Sequence, residues 1–154
     1  MINLMNIFGK NREKLFFIID FDNINKIILS PEDAYKNGIL FNFNGERNYT
    51  EQYIFQKNLT LKKYPINYEE YEKSFNRVKN EIIKGNSYLL NLTFKTKIDI
   101  NLNLSDIFHQ SKAKYKLLYK DKFVVFSPES FIKIQNDIIF SFPMKGTINQ
   151  NEPD

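Results

Sequence analysis

The chain has 154 residues, enough for one domain with a hydrophobic core, and no cysteine, so a disulfide scaffold and a thiolate metal site are excluded. The single histidine, His109, cannot build a zinc site alone. The net charge of +4 comes from lysines scattered among acids, which argues against nucleic-acid binding. The sequence has neither a signal-peptide pattern nor the roughly 18 consecutive apolar residues of a membrane span, so we expect a cytoplasmic protein without a membrane partner.

The first third of the chain mixes short strand patterns with one helix signal. The apolar, β-prone pattern of strands occurs at residues 15–21, 26–29 and 38–43, and more weakly at residues 53–55 and 59–61. Ser30 followed by Pro31 indicates the start of a helix, with serine as the cap and proline at the first helical position. Asn37 and Gly38 end that helix early.

The clearest helix begins after Asn67, which can cap it, and Glu70 stands three positions on in the capping-box arrangement. Its apolar residues recur at spacings of three and four: Tyr68, Tyr71, Phe75, Val78 and Ile82. Such a stripe is far more often core packing than a cofactor site, so we expect it to be buried. Gly85 is a natural left-handed end for this helix.

The remainder is predicted to be mostly antiparallel sheet. Residues 87–98 alternate like one long strand, and Ser105 is expected to cap a short helix over residues 105–113. Two hairpins follow, built from residues 115–119 with 122–126 and from residues 131–135 with 138–142. Asn136-Asp137 suits a primed hairpin turn. The expected fold class is therefore α+β, mainly antiparallel β-sheet with packed helices.

Two polar segments follow predicted strands. Ser127-Pro128-Glu129 comes after FVVF, and residues 143–147 (PMKGT) come after IIFSF. We expect both at the carboxyl ends of strands in neighbouring parts of one sheet, where loops commonly carry active-site groups. Taken alone, each segment is more often an exposed turn. The glycine that a nucleotide-binding P-loop requires upstream is absent, which argues against a P-loop at Lys145-Gly146-Thr147.

Three motifs in this order resemble those of the chorismate-binding enzymes. The first, G-D-x-Y-Q-x-N-L in the amidating members, is matched by Gly85, Tyr88, Asn91 and Leu92. The second, S-P-E-x-F, is matched by Ser127, Pro128, Glu129 and Phe131. The third, P-I-[KA]-G-T, is matched by Pro143, Lys145, Gly146 and Thr147. The resemblance covers about residues 68–147, and it implies a partial chorismate-utilising-enzyme fold.

The variable positions separate the branches of that family. A lysine at position 145 resembles the third motif in the large subunit of aminodeoxychorismate synthase, since anthranilate synthases usually carry alanine at that position. Leu89 stands where isochorismate and salicylate synthases place a water-activating lysine. Asn86 replaces the acid of the first motif, and Met144 replaces the isoleucine of the third. The resemblance thus implies component I of aminodeoxychorismate synthase, in folate biosynthesis; the alternatives are component I of anthranilate synthase and a non-catalytic, truncated or regulatory homologue.

The same resemblance implies roles for four residues. Lys145 corresponds to the nucleophile, and Glu129 to the general acid and base at the leaving hydroxyl. Gly146 and Thr147 correspond to residues that hold the substrate. It also implies chorismate as substrate, Mg²⁺ bound by glutamates that follow the third motif, and a glutamine amidotransferase subunit that supplies ammonia.

The end of the sequence is polar, and no later segment is predicted to cover the sheet that precedes it. We therefore expect residues 1–154 to be a single, truncated N-terminal portion of a chorismate-binding domain. Such a fragment would be inactive alone, and would expose apolar surface through which it could form oligomers.

Overall fold

The computed structural model describes residues 1–50, 58–127, 130 and 132–142. The helices in these ranges are α1 (Ile2–Asn11), α2 (Pro31–Lys36), α3 (Tyr68–Ile83) and α4 (Leu104–Gln110). The strands are β1 (Phe16–Ile19), β2 (Lys26–Leu29), β3 (Ile39–Phe43), β4 (Glu46–Arg47), β5 (Leu61–Tyr64), β6 (Lys97–Ile100), β7 (Tyr115–Tyr119), β8 (Phe123–Phe126), β9 (Ile132–Gln135) and β10 (Ile138–Ser141). Every strand pair among them is antiparallel, so the α+β prediction is confirmed.

The chain divides into two compact units. The first comprises residues 1–53 and 104–154, and the second comprises residues 54–103. The first unit holds a four-stranded sheet in the order β4-β3-β7-β8, the β1–β2 hairpin and the β9–β10 hairpin. The second unit holds the β5–β6 pair and α3.

The core of the first unit joins the β1–β2 hairpin to α2 and β3. Its buried side chains are Phe16, Ala34, Ile39 and Phe41. The rings of Phe16 and Phe41 stack with their centroids 5.3 Å apart. Burial of an aromatic or branched aliphatic side chain contributes about 1.5–3 kcal/mol, so Phe16, Ile39 and Phe41 stabilise this contact between the hairpin, α2 and β3.

The predicted start and end of α2 are confirmed. The Ser30 hydroxyl oxygen accepts a hydrogen bond from the backbone N–H of Asp33 at 3.0 Å, and Pro31 is the first helical residue. Gly38 follows the helix with φ of 73°, a left-handed conformation that residues with a Cβ atom rarely adopt. The helix is therefore a single short segment between β2 and β3.

Asn48 connects the start of α2 to β3. Its amide nitrogen donates to the carbonyl oxygens of Pro31 at 3.1 Å and Ile39 at 2.8 Å, and its amide oxygen accepts from the N–H of Phe41 at 2.9 Å. These bonds replace a ladder that the two-residue strand β4 is too short to provide.

The helix predicted after Asn67 is present, but the prediction that its apolar stripe is buried is wrong within the described structure. The Asn67 side chain accepts a hydrogen bond from the N–H of Glu70 at 2.8 Å and caps α3 as expected. No residue of α3 is buried, and Tyr68 and Phe75 are 71% and 47% exposed. The stripe still forms one face of the helix, because its spacing follows the helical period.

The long strand predicted over residues 87–98 is also wrong. Residues 87–96 have no ladder partner among the described residues, and β6 begins only at Lys97, where it pairs with β5. Alternation of side chains specifies the two faces of a strand but not its neighbour, and a ladder requires a neighbour.

The last predicted helix is present with shifted bounds. α4 begins at Leu104, so Ser105 lies in its first turn and is not its cap. None of the helices in the described ranges combines the length and the apolar character that a bilayer span requires.

Candidate functional site

The four predicted site residues lie outside the described part of the chain. Glu129 falls in a gap between Ser127 and Ser130, and Lys145, Gly146 and Thr147 come after the last described residue, Phe142. Their roles therefore stay predictions. The structure describes the strands that lead to them and the contacts at the borders of the segments that contain them.

The segment that contains Glu129 is anchored at both borders by one residue, Tyr115 at the start of β7. The backbone carbonyl of Tyr115 accepts from the N–H of Ser127 at 2.8 Å. Its phenol oxygen accepts from the hydroxyl of Ser130 at 3.1 Å. Ser127, the residue after the last one of β8, has φ of 50°, a left-handed conformation. Both borders of the second motif are thus held to β7.

The segment that contains Lys145 follows the β9–β10 hairpin. Asn136 and Asp137 have φ of 52° and 60°, which confirms the predicted primed turn. The expectation that the two polar segments leave one sheet is wrong for the described residues. β8 belongs to the four-stranded sheet, whereas β10 pairs with β9 in a separate two-stranded sheet. A tight turn fixes only the two strands that it joins, which is why the hairpin formed as predicted without joining the larger sheet.

The first motif begins where α3 ends. The N–H of Gly85 bonds the carbonyl of Ile82, and the N–H of Asn86 bonds that of Glu81, the two bonds of a Schellman motif. Gly85 takes φ of 77° to do so. Gly85 is therefore explained by its backbone conformation alone.

Asn86, which departs from the acid of the family motif, has a structural partner. Its amide nitrogen donates to a carboxylate oxygen of Glu81 at 2.5 Å. That bond, together with a hydrogen bond and the charge of Lys84, holds the pKa of Glu81 below its usual value. An acid at position 86 would instead repel Glu81.

The segment that follows the first motif contacts α3 through one ring. The ring of Phe94 is 5.9 Å from that of Tyr71, centroid to centroid. Leu92 and Phe94 are half-buried, whereas Asn91 and Thr93 are exposed, so the predicted alternation holds over residues 91–94; Tyr88 and Leu90, predicted on the same face as Leu92, are exposed. Leu89, which stands where the hydrating enzymes have a lysine, is 80% exposed.

A polar cluster in the first unit was not predicted from the sequence. Lys116 is buried, and its ammonium donates to the carbonyls of Phe108 at 3.0 Å and Ser111 at 2.9 Å, at the C-terminal end of α4. The ammonium also lies 4.8 Å from the centre of the Phe108 ring. The sequence offered one indication of this burial. Lys116 lies two residues before Leu118, so both side chains are on the inward face of β7. The charge completes the helix end, which is a structural role.

His109 lines a surface cleft of about 350 Å³ beside this cluster. Burial, and then the positive charge of Lys116, lower the pKa of His109, while Asp106 opposes them. The His109 ring packs edge-on against Tyr49. The imidazole is therefore held neutral near physiological pH.

The described residues do not fit a magnesium site. No group of three or more His, Cys, Asp or Glu side chains lies close enough together in these ranges to hold a metal ion.

Comparison with known proteins assigns the family. A family model described as chorismate binding enzyme matches residues 15–154. The chain belongs to the chorismate-binding enzyme family. It is 46% identical over 155 residues to an uncharacterized PabA-like protein of Haemophilus influenzae, covering 99% of this chain and 46% of that relative. It is 42% identical over 154 residues to an uncharacterized PabA-like protein of Pasteurella multocida, covering 99% of this chain and 48% of that relative.

This member of the chorismate-binding enzyme family spans about half the length of the curated relatives it matches. No solved structure matches the chain. Membership covers all three motifs, because the matched range includes every residue from Gly85 to Thr147.

Proposed function

We propose that the chain is the N-terminal part of component I of aminodeoxychorismate synthase, a cytoplasmic enzyme that converts chorismate and ammonia to 4-amino-4-deoxychorismate for folate biosynthesis. The observation that carries the proposal is a lysine, Lys145, in the P-x-K-G-T motif of a chain that belongs to the chorismate-binding family. Leu89 adds support, because a leucine side chain cannot activate water as the hydrating members require.

Amination at C4 with retained stereochemistry is easier in two displacements. The neutral amine of Lys145 forms a bond to C2 of the ring, both ring double bonds shift by one position, and the C4–O bond breaks. Glu129 donates a proton to the departing hydroxyl, which leaves as water. Ammonia then attacks C4, both ring double bonds shift back to their original positions, and the C2–N bond breaks and releases Lys145. Glu129 accepts the proton that the ammonia loses.

This sequence of steps demands two unusual protonation states. Lys145 must be neutral to attack, and Glu129 must hold a proton near neutral pH, and both depend on burial or neighbouring charges. Gly146 and Thr147 are proposed to hold the substrate by hydrogen bonds. The two bonds from Tyr115 support a fixed position for the borders of the Glu129 segment.

Two further components are proposed from the family resemblance. Mg²⁺ would neutralise a substrate carboxylate, and its ligands are proposed in sequence that follows residue 154 in longer relatives. A glutamine amidotransferase subunit would supply the ammonia. The 154-residue chain alone is proposed to be inactive, because it would lack both proposed components.

The decisive experiment identifies the product. The reading frame that encodes these residues is expressed from start codon to stop codon and incubated with chorismate, Mg²⁺ and ammonia, and the products are separated by chromatography and identified by mass. We expect 4-amino-4-deoxychorismate. Anthranilate or isochorismate as the main product would refute the assignment.

The role of Lys145 is tested with a matched pair of variants. Lys145→Ala should abolish C4 amination, whereas Lys133→Ala, a change at an exposed lysine of β9, should leave it intact. Full C4 amination by Lys145→Ala would remove the nucleophile role even if the product assignment stands.

A further inference from the structure

The net charge of the chain is concentrated in its second unit. Residues 54–103 carry nine Lys and Arg side chains against five Asp and Glu, whereas the rest of the chain carries thirteen of each kind. The whole formal charge of +4 therefore belongs to the second unit. A local excess of positive charge raises the encounter rate with negatively charged partners, so the exposed lysines of this unit are candidates for a binding surface.

Four side chains of the β5–β6 pair share one exposed face. In the antiparallel register, Lys62 lies opposite Asp99, and Tyr64 lies opposite Lys97. Residues that pair across two strands project from the same side of the sheet, and so do residues two apart along one strand. All four residues are exposed, and Tyr64 is 41% exposed. We call these four residues the Tyr64 surface.

The ring of Tyr64 gathers two positive charges. The ammonium of Lys62 lies 5.0 Å from the ring centre, and the ammonium of Lys97 lies 5.7 Å from it. The negative face of an aromatic ring attracts cations, which favours these positions of the two lysine side chains. Two like charges beside one ring repel each other, and a carboxylate placed between them removes that repulsion. The Tyr64 surface is therefore suited to bind an anionic group.

We propose that the Tyr64 surface binds an acidic segment of a partner protein. Two features favour such a segment over a nucleic acid. Both ammoniums lie over the Tyr64 ring, where a nucleobase would have to stack. Asp99 lies opposite Lys62 and repels a continuous row of phosphates, whereas a polypeptide can place a neutral side chain at that point. Binding at this surface does not depend on which reaction the family member catalyses.

The test measures binding of a fluorescein-labelled deca-glutamate peptide by fluorescence anisotropy, with protein expressed from the complete reading frame. We expect saturable binding at low ionic strength that weakens as salt is added, because salt screens exposed charges. Lys62→Gln combined with Lys97→Gln should weaken binding about tenfold, since each exposed ion pair contributes a few-fold. The control, Lys63→Gln combined with Lys79→Gln, removes the same charge from the opposite face of β5 and from α3. It should weaken binding less than about twofold.

Two further positions separate the ring and the carboxylate from net charge. Tyr64→Leu keeps an apolar side chain but removes the aromatic face, so it should weaken peptide binding about threefold, whereas Tyr64→Phe should not. Asp99→Asn removes the repulsion between Asp99 and the peptide carboxylates. It should therefore strengthen the binding of deca-glutamate about twofold or more.

Three results would overturn the proposal. One is the absence of saturable peptide binding at low ionic strength. A second is an equal loss of binding in the double variant of Lys62 and Lys97 and in that of Lys63 and Lys79, since net charge alone would then attract the peptide. The third is tighter binding of a single-stranded oligothymidine of the same charge that Tyr64→Leu abolishes, which would make the surface a nucleic-acid site.

Discussion

Ser130 donates a hydrogen bond from its hydroxyl to the phenol oxygen of Tyr115 over 3.1 Å, across the segment that contains Glu129. The backbone of Tyr115 holds the other border of that segment through Ser127. One residue of β7 therefore bonds the described residues on both sides of the segment that contains Glu129.

The coupling between Tyr115 and Ser130 can be measured with a double-mutant cycle. Tyr115→Phe and Ser130→Ala each remove the bond, so each should lower the free energy of unfolding by about 0.5–1.5 kcal/mol. The double variant should lose no more than either single variant plus a few tenths, because the bond can be lost only once. Denaturant titrations give all four values. Strict additivity would show that the two hydroxyls do not interact.

Substitution of Lys116 should lower the free energy of unfolding more than substitution of an exposed lysine does. Lys116→Met keeps the apolar stem but removes the ammonium that bonds the carbonyls of Phe108 and Ser111. The expected loss in free energy of unfolding is about 1–3 kcal/mol, since buried carbonyls lose a charged donor. Lys114→Met, at an exposed position, should change it by less than about 0.5 kcal/mol. Equal effects would mean that Lys116 does not stabilise the end of α4.

Asn48→Ala should be more damaging than its loop position indicates. The substitution removes three hydrogen bonds to the backbone of Pro31, Ile39 and Phe41. At about 0.5–1.5 kcal/mol net for each bond, we expect a loss of roughly 1.5–4.5 kcal/mol, measured by denaturant unfolding. Asn76→Ala, at an exposed site in α3, is the control and should leave stability within about 0.5 kcal/mol. A loss at Asn48 no larger than at Asn76 would contradict this role.

Local rules explain which parts of the fold were predictable. The caps of α2 and α3 and the primed turn at Asn136-Asp137 depend on side chains within a few residues of each other, and all three are present. Asn48 and Lys116 act through contacts that depend on tertiary placement. No spacing in the sequence indicated that either side chain would bond a distant backbone.

Two of the wrong predictions have one physical cause. Residues 87–98 and the apolar face of α3 were expected to be a paired strand and a buried stripe, and each has the right local pattern. Pairing and burial depend on what lies beside an element, which periodicity does not specify. The candidate site differs again: Glu129 and Lys145 were identified through family motifs, because a loop glutamate or lysine alone has no distinguishing pattern.

His109 should make stability depend on pH. Burial and Lys116 hold its folded pKa below the ordinary 6.5, so the folded state binds the proton less readily than the unfolded state. The contribution of neutral His109 to the free energy of unfolding is complete above pH 6.5. It is lost as the pH falls from 6.5 through the folded pKa. Unfolding midpoints at several pH values between 7.5 and 5 give the slope, and His109→Gln should reduce it, since that side chain does not titrate. The same slope in both proteins would refute a lowered pKa.

Asn86→Asp restores the acid of the family motif and should raise the pKa of Glu81. The hydrogen bond from the side-chain amide of Asn86 is the largest cause of the lowered pKa of Glu81. A carboxylate in place of that amide would repel the Glu81 carboxylate instead. Carbon-detected NMR titration of the Glu81 carboxyl measures the change. Asn80→Asp adds the same charge one residue before Glu81 and on another side of the helix, so it should raise the pKa of Glu81 less. If both variants shift Glu81 equally, net charge and not the hydrogen bond sets its pKa, and the tolerance of asparagine at position 86 would need a cause outside the end of α3.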